Sequence, residues 1–172
     1  MKRGAPTFAH ISDHASIILD DIRSSHNVGS IFRTADALGL GKSKTVGLYL
    51  VGYTPAPKDK FGRANKDIAK VALGAEETVS WQSVKSVTSL IKKLQTNGVR
   101  VVAVEQSPRA VDYKKFRMRG PTAFVFGNEV TGVSEKTLAL CDEVIEIPMQ
   151  GEKESLNVSV AFGIAMARVL GL

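Results

Sequence analysis

Thr122-Ala123-Phe124-Val125-Phe126-Gly127-Asn128-Glu129-Val130-Thr131-Gly132 joins two kinds of sequence. The first five residues form an apolar run of strand length. A small, polar cluster follows at once. Gly127 permits close backbone approach or a positive φ, and Glu129 sets a carboxylate at the mouth of the strand. A turn with a helix-capping acid accounts for the same residues, since Ser134 opens a short predicted helix, Ser134–Leu140. The same alternation runs outward along the chain. Arg100–Gln106 is the clearest buried strand, and Lys44–Gly52 alternates poorly, as a strand buried on both faces does. Ser16–Ile22 and Glu143–Pro148 read as further strands. Val28–Leu38, Ser83–Gln95 (closed by Asn97-Gly98) and Leu156–Leu170 read as helices. Strands alternating with helices predict an α/β fold, a mostly parallel sheet with helices on both faces.

The bulk numbers fit one domain. The chain has 172 residues, 44% of them hydrophobic, enough for an independent core. Residues 1–15 are expected to form a short polar arm, with no separate RNA-binding domain. Lys and Arg number 23 against 17 acids, a net charge of +6, which suits a polyanionic partner as well as it suits plain solubility. Two loops concentrate the excess. One holds Lys58, Lys60, Arg63, Lys66 and Lys70, and the other, over 107–121, holds Arg109, Lys114, Lys115, Arg117 and Arg119. Cys141 has no partner for a disulfide, and no signal peptide is evident, so a cytoplasmic location is expected. No apolar run has the roughly 20 residues needed to span a bilayer, so no membrane association is expected.

Two more clusters resemble the first in placement. Asn27-Val28-Gly29-Ser30-Ile31-Phe32-Arg33 opens a helix whose apolar arc is Val28, Ile31, Phe32, Ala35 and Leu38. Arg33 falls opposite, beside Gly29, Ser30 and Ala37, a face of small residues open to close approach. Asn27 is placed to cap the first turn. A capped amphipathic helix with a solvated arginine explains all but the small residues. The third cluster runs from Ile147-Pro148-Met149 through Ser155-Leu156-Asn157-Val158-Ser159. Ser155 and Asn157 are both good N-caps, and one helix hardly needs both. That helix is apolar nearly all round, which predicts burial against a second subunit through Phe162, Met166, Val169, Val160 and Ile164.

Other patterns are set aside. Leu40-Gly41-Lys42-Ser43 lacks the first glycine of a P-loop, where Asp36 stands, and follows a helix. No Gly-x-Gly-x-x-Gly follows a predicted strand, which disfavours a dinucleotide-dependent oxidoreductase. His10, His14, His26 and Cys141 lack metal-ligand spacing, so no metal is expected. Cys141 reads as a packed thiol, and Asn157-Val158-Ser159 lacks the secretory context of a glycosylation site.

Taken in order, the three clusters resemble the signature blocks of the SpoU (TrmH-like) family of RNA 2′-O-ribose methyltransferases in the SPOUT superfamily, over residues 17 to 168. The resemblance implies a deep C-terminal trefoil knot, a homodimer with its active site at or near the subunit interface, and S-adenosylmethionine bound by the knot loops. By position those loops are Val104–Glu105, Phe126–Asn128 and Ile147–Leu156. They give Val104, Glu105, Phe126, Gly127, Asn128, Ile147, Met149, Ser155 and Leu156 as cofactor-binding residues. The catalytic set implied is Asn27, Arg33, Glu129, Ser155 and Asn157. The family's arginine is assigned as a base, but a guanidinium resists deprotonation, and a phosphate clamp that lowers the hydroxyl pKa is an equal reading. The substrate implied is transfer or ribosomal RNA, with transfer RNA placed narrowly ahead. Lys58, Lys60, Arg63, Lys66, Arg109, Lys114, Lys115 and Arg117 would dock it. The alternative is a non-catalytic RNA-binding protein on the same fold.

Overall fold

The computed structural model describes residues 14–41 and 46–172. Seven strands form one sheet: β1 (Ala15–Asp20), β2 (Leu48–Val51), β3 (Trp81–Val84), β4 (Arg100–Val104), β5 (Val111–Asp112), β6 (Thr122–Phe126) and β7 (Glu143–Glu146). Their order is β3-β2-β1-β6-β4-β7-β5, and every pair is parallel. The described helices are α1 (Ser25–Ala37), α2 (Lys66–Ala72), α3 (Ala75–Thr78), α4 (Val87–Thr96), α5 (Glu135–Leu140) and α6 (Val158–Leu170).

β6 is buried at all five positions because it lies between β1 and β4, with Phe124 opposite Ile17 on one side and Val102 on the other. Its alternating side chains serve two cores. Phe124 and Phe126 join α1, α2 and α6 on one face. Ala123 and Val125 join α4 and α5 on the other. Helices therefore cover both faces, as an apolar parallel sheet requires. The Phe126 and Phe162 rings meet edge to face at 5.4 Å, clamping α6 to the sheet. Truncating either to Ala would cost about 3–5 kcal/mol.

The strand Thr122–Phe126 has the bounds read from sequence, and Ser134 caps α5 through the N–H of Thr137. Elsewhere the structure corrects the reading. α1 begins at Ser25, and its cap is Ser24, whose hydroxyl accepts from the N–H of Asn27. Asn27 is thus a buried helical residue and not the cap. The expected helix over Ser83–Gln95 starts at Val87. Ser83 belongs instead to β3, an edge strand whose exposed Gln82 and Ser83 hide its strand character. The 107–121 loop contains the two-residue strand β5. Of the expected N-terminal arm, Ala15 belongs to β1 and residues 1–13 lie outside the described residues, as do Lys44 and Thr45 of the expected second strand.

The small-residue face of α1 is filled from within. A Cβ on Gly29 would sit 2.8 Å from the Ile68 carbonyl oxygen and 2.9 Å from the Val71 Cβ, so Gly29 lets α2 pack directly on α1. The close approach expected near Arg33 is made by the chain itself. The residues expected at a dimer contact are corrected in part, since Phe162 and Met166 lie fully in the core and Val169 is half-buried against it. Only Val160 and Ile164, 48% and 38% exposed, leave an apolar stripe on α6. Among the described residues no helix is long and apolar enough to cross a membrane.

Candidate active site

Because the strands are parallel, the carboxyl ends of β1, β6, β4 and β7 share one edge of the sheet. This is also where the strand order turns back on itself, the place where open α/β sheets bind ligands. A cavity of about 400 Å³ opens there. Val104, Glu105, Phe126, Gly127 and Asn128 line it from β4 and β6, and Ile147, Met149, Ser155 and Leu156 line it from the segment after β7. All nine residues expected to hold a cofactor therefore face one space. Beside Glu129, which lines it too, a further seven residues complete the wall: Gln106, Val130, Thr131, Gly132, Glu154, Val158 and Ala161. The sequence does not single them out, though each sits in or beside one of the segments that it does.

The cavity floor is fixed by hydrogen bonds to main chain. The Glu105 carboxylate accepts from the N–H of Gln106 at 2.8 Å and of Val133 at 2.9 Å. Asn128 Oδ1 accepts from Val130 and Thr131 N–H. Its amide donates to the Asp21 carbonyl at 2.8 Å and the Tyr53 hydroxyl at 2.7 Å. Asn128 is thus a strut between three loops, and its side chain has spent its usual bonds. A Cβ on Gly127 would stand 2.3 Å from the Gly132 carbonyl carbon, so only glycine lets the 127–132 turn close. The Gln106 amide donates to the Glu154 carbonyl, tying the loops after β4 and β7 together.

Three of the five expected catalytic residues are linked. Glu129 Oε1 accepts from the Asn27 amide at 2.9 Å, and the Asn157 amide donates to Asn27 Oδ1 at 3.1 Å. Glu129 also accepts from the N–H groups of Arg23 and Ser24. Partial burial opposes its ionisation. The bonds from Arg23, Asn27, its own backbone and Ser24 outweigh that and hold the carboxyl below its ordinary range. Asn157 caps α6 by accepting from Ser159 N–H. Ser155 lies in the cavity wall and makes no hydrogen bond with the described residues. Arg33 is exposed and lies outside the cavity wall, and its side chain has no hydrogen bond or ion pair among the described residues. Asp21 and Tyr53, which orient Asn128, give no sequence signal beyond sitting just after strands.

The basic residues differ in freedom. Lys58 pairs with Glu77 at 3.0 Å and Arg63 with Asp59 at 2.7 Å. Arg109 donates to the Leu138 carbonyl, and Arg117 to those of Lys114 and Phe116. Lys114 lies 5.9 Å from the Tyr113 ring centre and Lys60 5.0 Å from that of Phe61. Lys66 and Lys115 are exposed. Among the described residues no group of His, Cys, Asp and Glu could hold a metal ion.

A parallel α/β sheet with a half-polar cavity beside its order reversal, edged by an amide–amide–carboxylate chain, is a ligand-binding fold with a site for polar groups and flat apolar groups alike. The chain belongs to the SpoU rRNA Methylase family, whose model matches residues 14–167. A 23S rRNA (guanosine-2′-O-)-methyltransferase RlmB of Ralstonia nicotianae is 36% identical over 150 residues, 87% of this chain and 55% of that protein. The chain thus spans about half the length of the curated relatives it matches. An AdoMet-bound rRNA methyltransferase from Sinorhizobium meliloti has a similar fold, with TM-score 0.79, 26% identity, and coverage of 98% of this chain and 60% of that one. A structure concerned with the 2-OH methylation of C/U34 on tRNA aligns over 92% of this chain and 95% of its own, with TM-score 0.74 and 26% identity.

Proposed function

We propose that this protein is an S-adenosylmethionine-dependent RNA 2′-O-methyltransferase. The observation that carries the reading is the Asn157–Asn27–Glu129 hydrogen-bonded chain at the edge of a cavity of ligand size, in a member of this family. The residues present suit the cofactor. Val104, Phe126, Ile147 and Leu156 offer apolar walls for an adenine, and the loop main chain of 127–132 and 147–156 offers polar atoms for ribose and amino acid. Bound there, S-adenosylmethionine supplies a methyl group already activated on a sulfonium.

The protein's remaining task is to place a ribose hydroxyl and ease loss of its proton. Glu129, Asn27 and Asn157 hold the turn after β1 and the start of α6 in one arrangement, and Ser155 offers a hydroxyl at the cavity. Arg33 acts as a phosphate clamp, its planar fork of N–H donors matching phosphate oxygens. Its position outside its own cavity wall suits service to a partner's cavity in a homodimer. The exposed stripe of Leu156, Val160 and Ile164 is the apolar surface such a dimer would cover. The reading includes the family's trefoil knot. Two bonds are in keeping with a threaded C-terminus, Arg168 to the Lys114 carbonyl at 2.9 Å and Gln106 to that of Glu154. The reading includes a cytoplasmic location, in keeping with an RNA substrate.

The relatives divide over substrate. The longer curated ones name a ribosomal guanosine, and the solved structure of matching length names a transfer RNA position. Mapping 2′-O-methyl groups in both RNAs from cells with and without the gene assigns it. The reading expects one site to vanish with the gene, and an unchanged map would refute it.

A further inference from the structure

Phe61 is 70% exposed and belongs to neither core. We infer that it is a stacking platform for an unpaired base of the RNA substrate, an inference that rests on the RNA reading above. Its surroundings are built and not incidental. Lys58 and Ala64 bridge as an antiparallel pair, making residues 58–64 a small hairpin. Asp59 organises the tip. Its Oδ1 accepts from the N–H groups of Phe61 at 2.8 Å and Arg63 at 3.0 Å, and its Oδ2 accepts from Arg63 Nε at 2.7 Å. The ring is therefore held out by fixed backbone, which lowers the ordering cost of binding.

Charge selects the partner. Lys60 Nζ lies 5.0 Å and Arg63 Cζ 5.2 Å from the ring centre, and Lys66 is exposed just beyond the hairpin. An aromatic ring flanked by cations matches a base flanked by phosphates, as in sites that bind single-stranded nucleic acid. An apolar protein partner would be poorly served by two cations set close to the ring. The other end of the same segment is Tyr53, bonded through its hydroxyl to Asn128 in the cavity wall. A base stacked on Phe61 would thus be held by a loop rooted at the proposed methyl-transfer site. A duplex keeps its bases stacked on each other, so the platform favours a loop or bulge.

The test compares an RNA hairpin carrying an unpaired adenosine loop with a blunt duplex of equal phosphate number. Phe61→Ala should weaken loop binding about tenfold, the loss of roughly one base–aromatic stack. It should leave duplex binding and S-adenosylmethionine binding unchanged. Phe61→Trp should restore loop affinity. The slope of log affinity against log salt should stay the same in Phe61→Ala and flatten in Lys60→Ala, because only the second loses a cation. Equal loop affinity in wild type and Phe61→Ala overturns this inference while leaving the methyltransferase reading intact. Equal losses on loop and duplex also overturn it, as does a shift in sedimentation that makes Phe61 a contact between copies. A wild-type protein that binds neither RNA overturns both.

Discussion

Asn157 and Asn27 lie 130 residues apart in sequence, yet the amide of the first donates to the side-chain oxygen of the second at 3.1 Å. The orientation of Asn27 is fixed by its other bond. Its nitrogen faces the Glu129 carboxylate, and a flipped amide would set oxygen against oxygen. One hydrogen-bonded line therefore couples the cap of α6, the first turn of α1 and the loop after β6. Asn157 reaches this line through one bond, whereas Glu129 is also held by the N–H groups of Arg23 and Ser24.

Asn157→Ala should cost about 0.5–2 kcal/mol, as a lost cap does, and should lower methyl transfer by more than that loss explains. Asn157→Asp retains the cap but sets a carboxylate against Asn27 Oδ1, so it should melt near wild type and still transfer poorly. Ser155→Ala, with no bond to lose, should leave the melting temperature unchanged while slowing turnover. Thermal melting beside single-turnover rates reads all three. Normal turnover in Asn157→Asp would reduce Asn157 to a cap.

Two carboxyls should give pH signatures of opposite sign. Burial first, and the Asp21 charge second, raise Asp20 to about 6 against a bond from Thr137. A raised folded pKa means stability present below the ordinary Asp range and lost as pH rises through about 6. Asp20→Asn should therefore melt higher than wild type at about pH 8 and equal to it near about pH 4. Glu129 is held low, so its contribution is present above the ordinary Glu range and lost as pH falls. Glu129→Gln should melt lower at about pH 7, with the gap closing on acidification. Melting from about pH 3.5 to about pH 8 checks both.

Arg33→Ala should leave the melting temperature within the small range of surface changes, about 0.5 kcal/mol, because Arg33 is exposed without a described partner. Methyl transfer should fall to background while S-adenosylmethionine still binds. Arg33→Lys should also be poor, since a point charge does not replace a planar fork. Calorimetry of cofactor binding beside a transfer assay distinguishes this from misfolding, and near-normal turnover in Arg33→Ala would remove the residue from the mechanism.

How far the fold and the site are legible in sequence depends on whether the signal is local. Thr122–Phe126 is buried throughout, so its apolar run marks both bounds. β3 escapes because an edge strand need not be apolar, and the polar Gln82 and Ser83 look like a helix start. Ser24, Ser25 and Asn27 all suit a cap, and only the bond from Asn27 N–H to Ser24 decides among them. The nine residues expected at the cavity come from the family resemblance, whose blocks lie at the ends of β4, β6 and β7 and in the segment before α6. The Asn157–Asn27–Glu129 line and the Asp21–Asn128–Tyr53 strut are not legible, since their partners meet only through the fold. Met166 looks free because a helix apolar all round does not show which side its own core covers.

The α6 stripe gives a separate outcome. Val160→Glu with Ile164→Glu should shift a wild-type dimer toward monomer with little loss of fold, because both side chains are exposed. Met166→Glu should instead unfold the chain, stranding a carboxylate in the core. Sedimentation at micromolar concentration with circular dichroism separates the two, and a monomeric wild type would remove the dimer from the account.

The most direct measurement is single-turnover transfer of labelled methyl from S-adenosylmethionine to the mapped RNA and to the same RNA with one 2′-deoxynucleotide at the target. The account predicts transfer to the first, none to the second, and equal binding of both. Transfer that survives loss of the 2′-hydroxyl would place the methyl on another atom and contradict it.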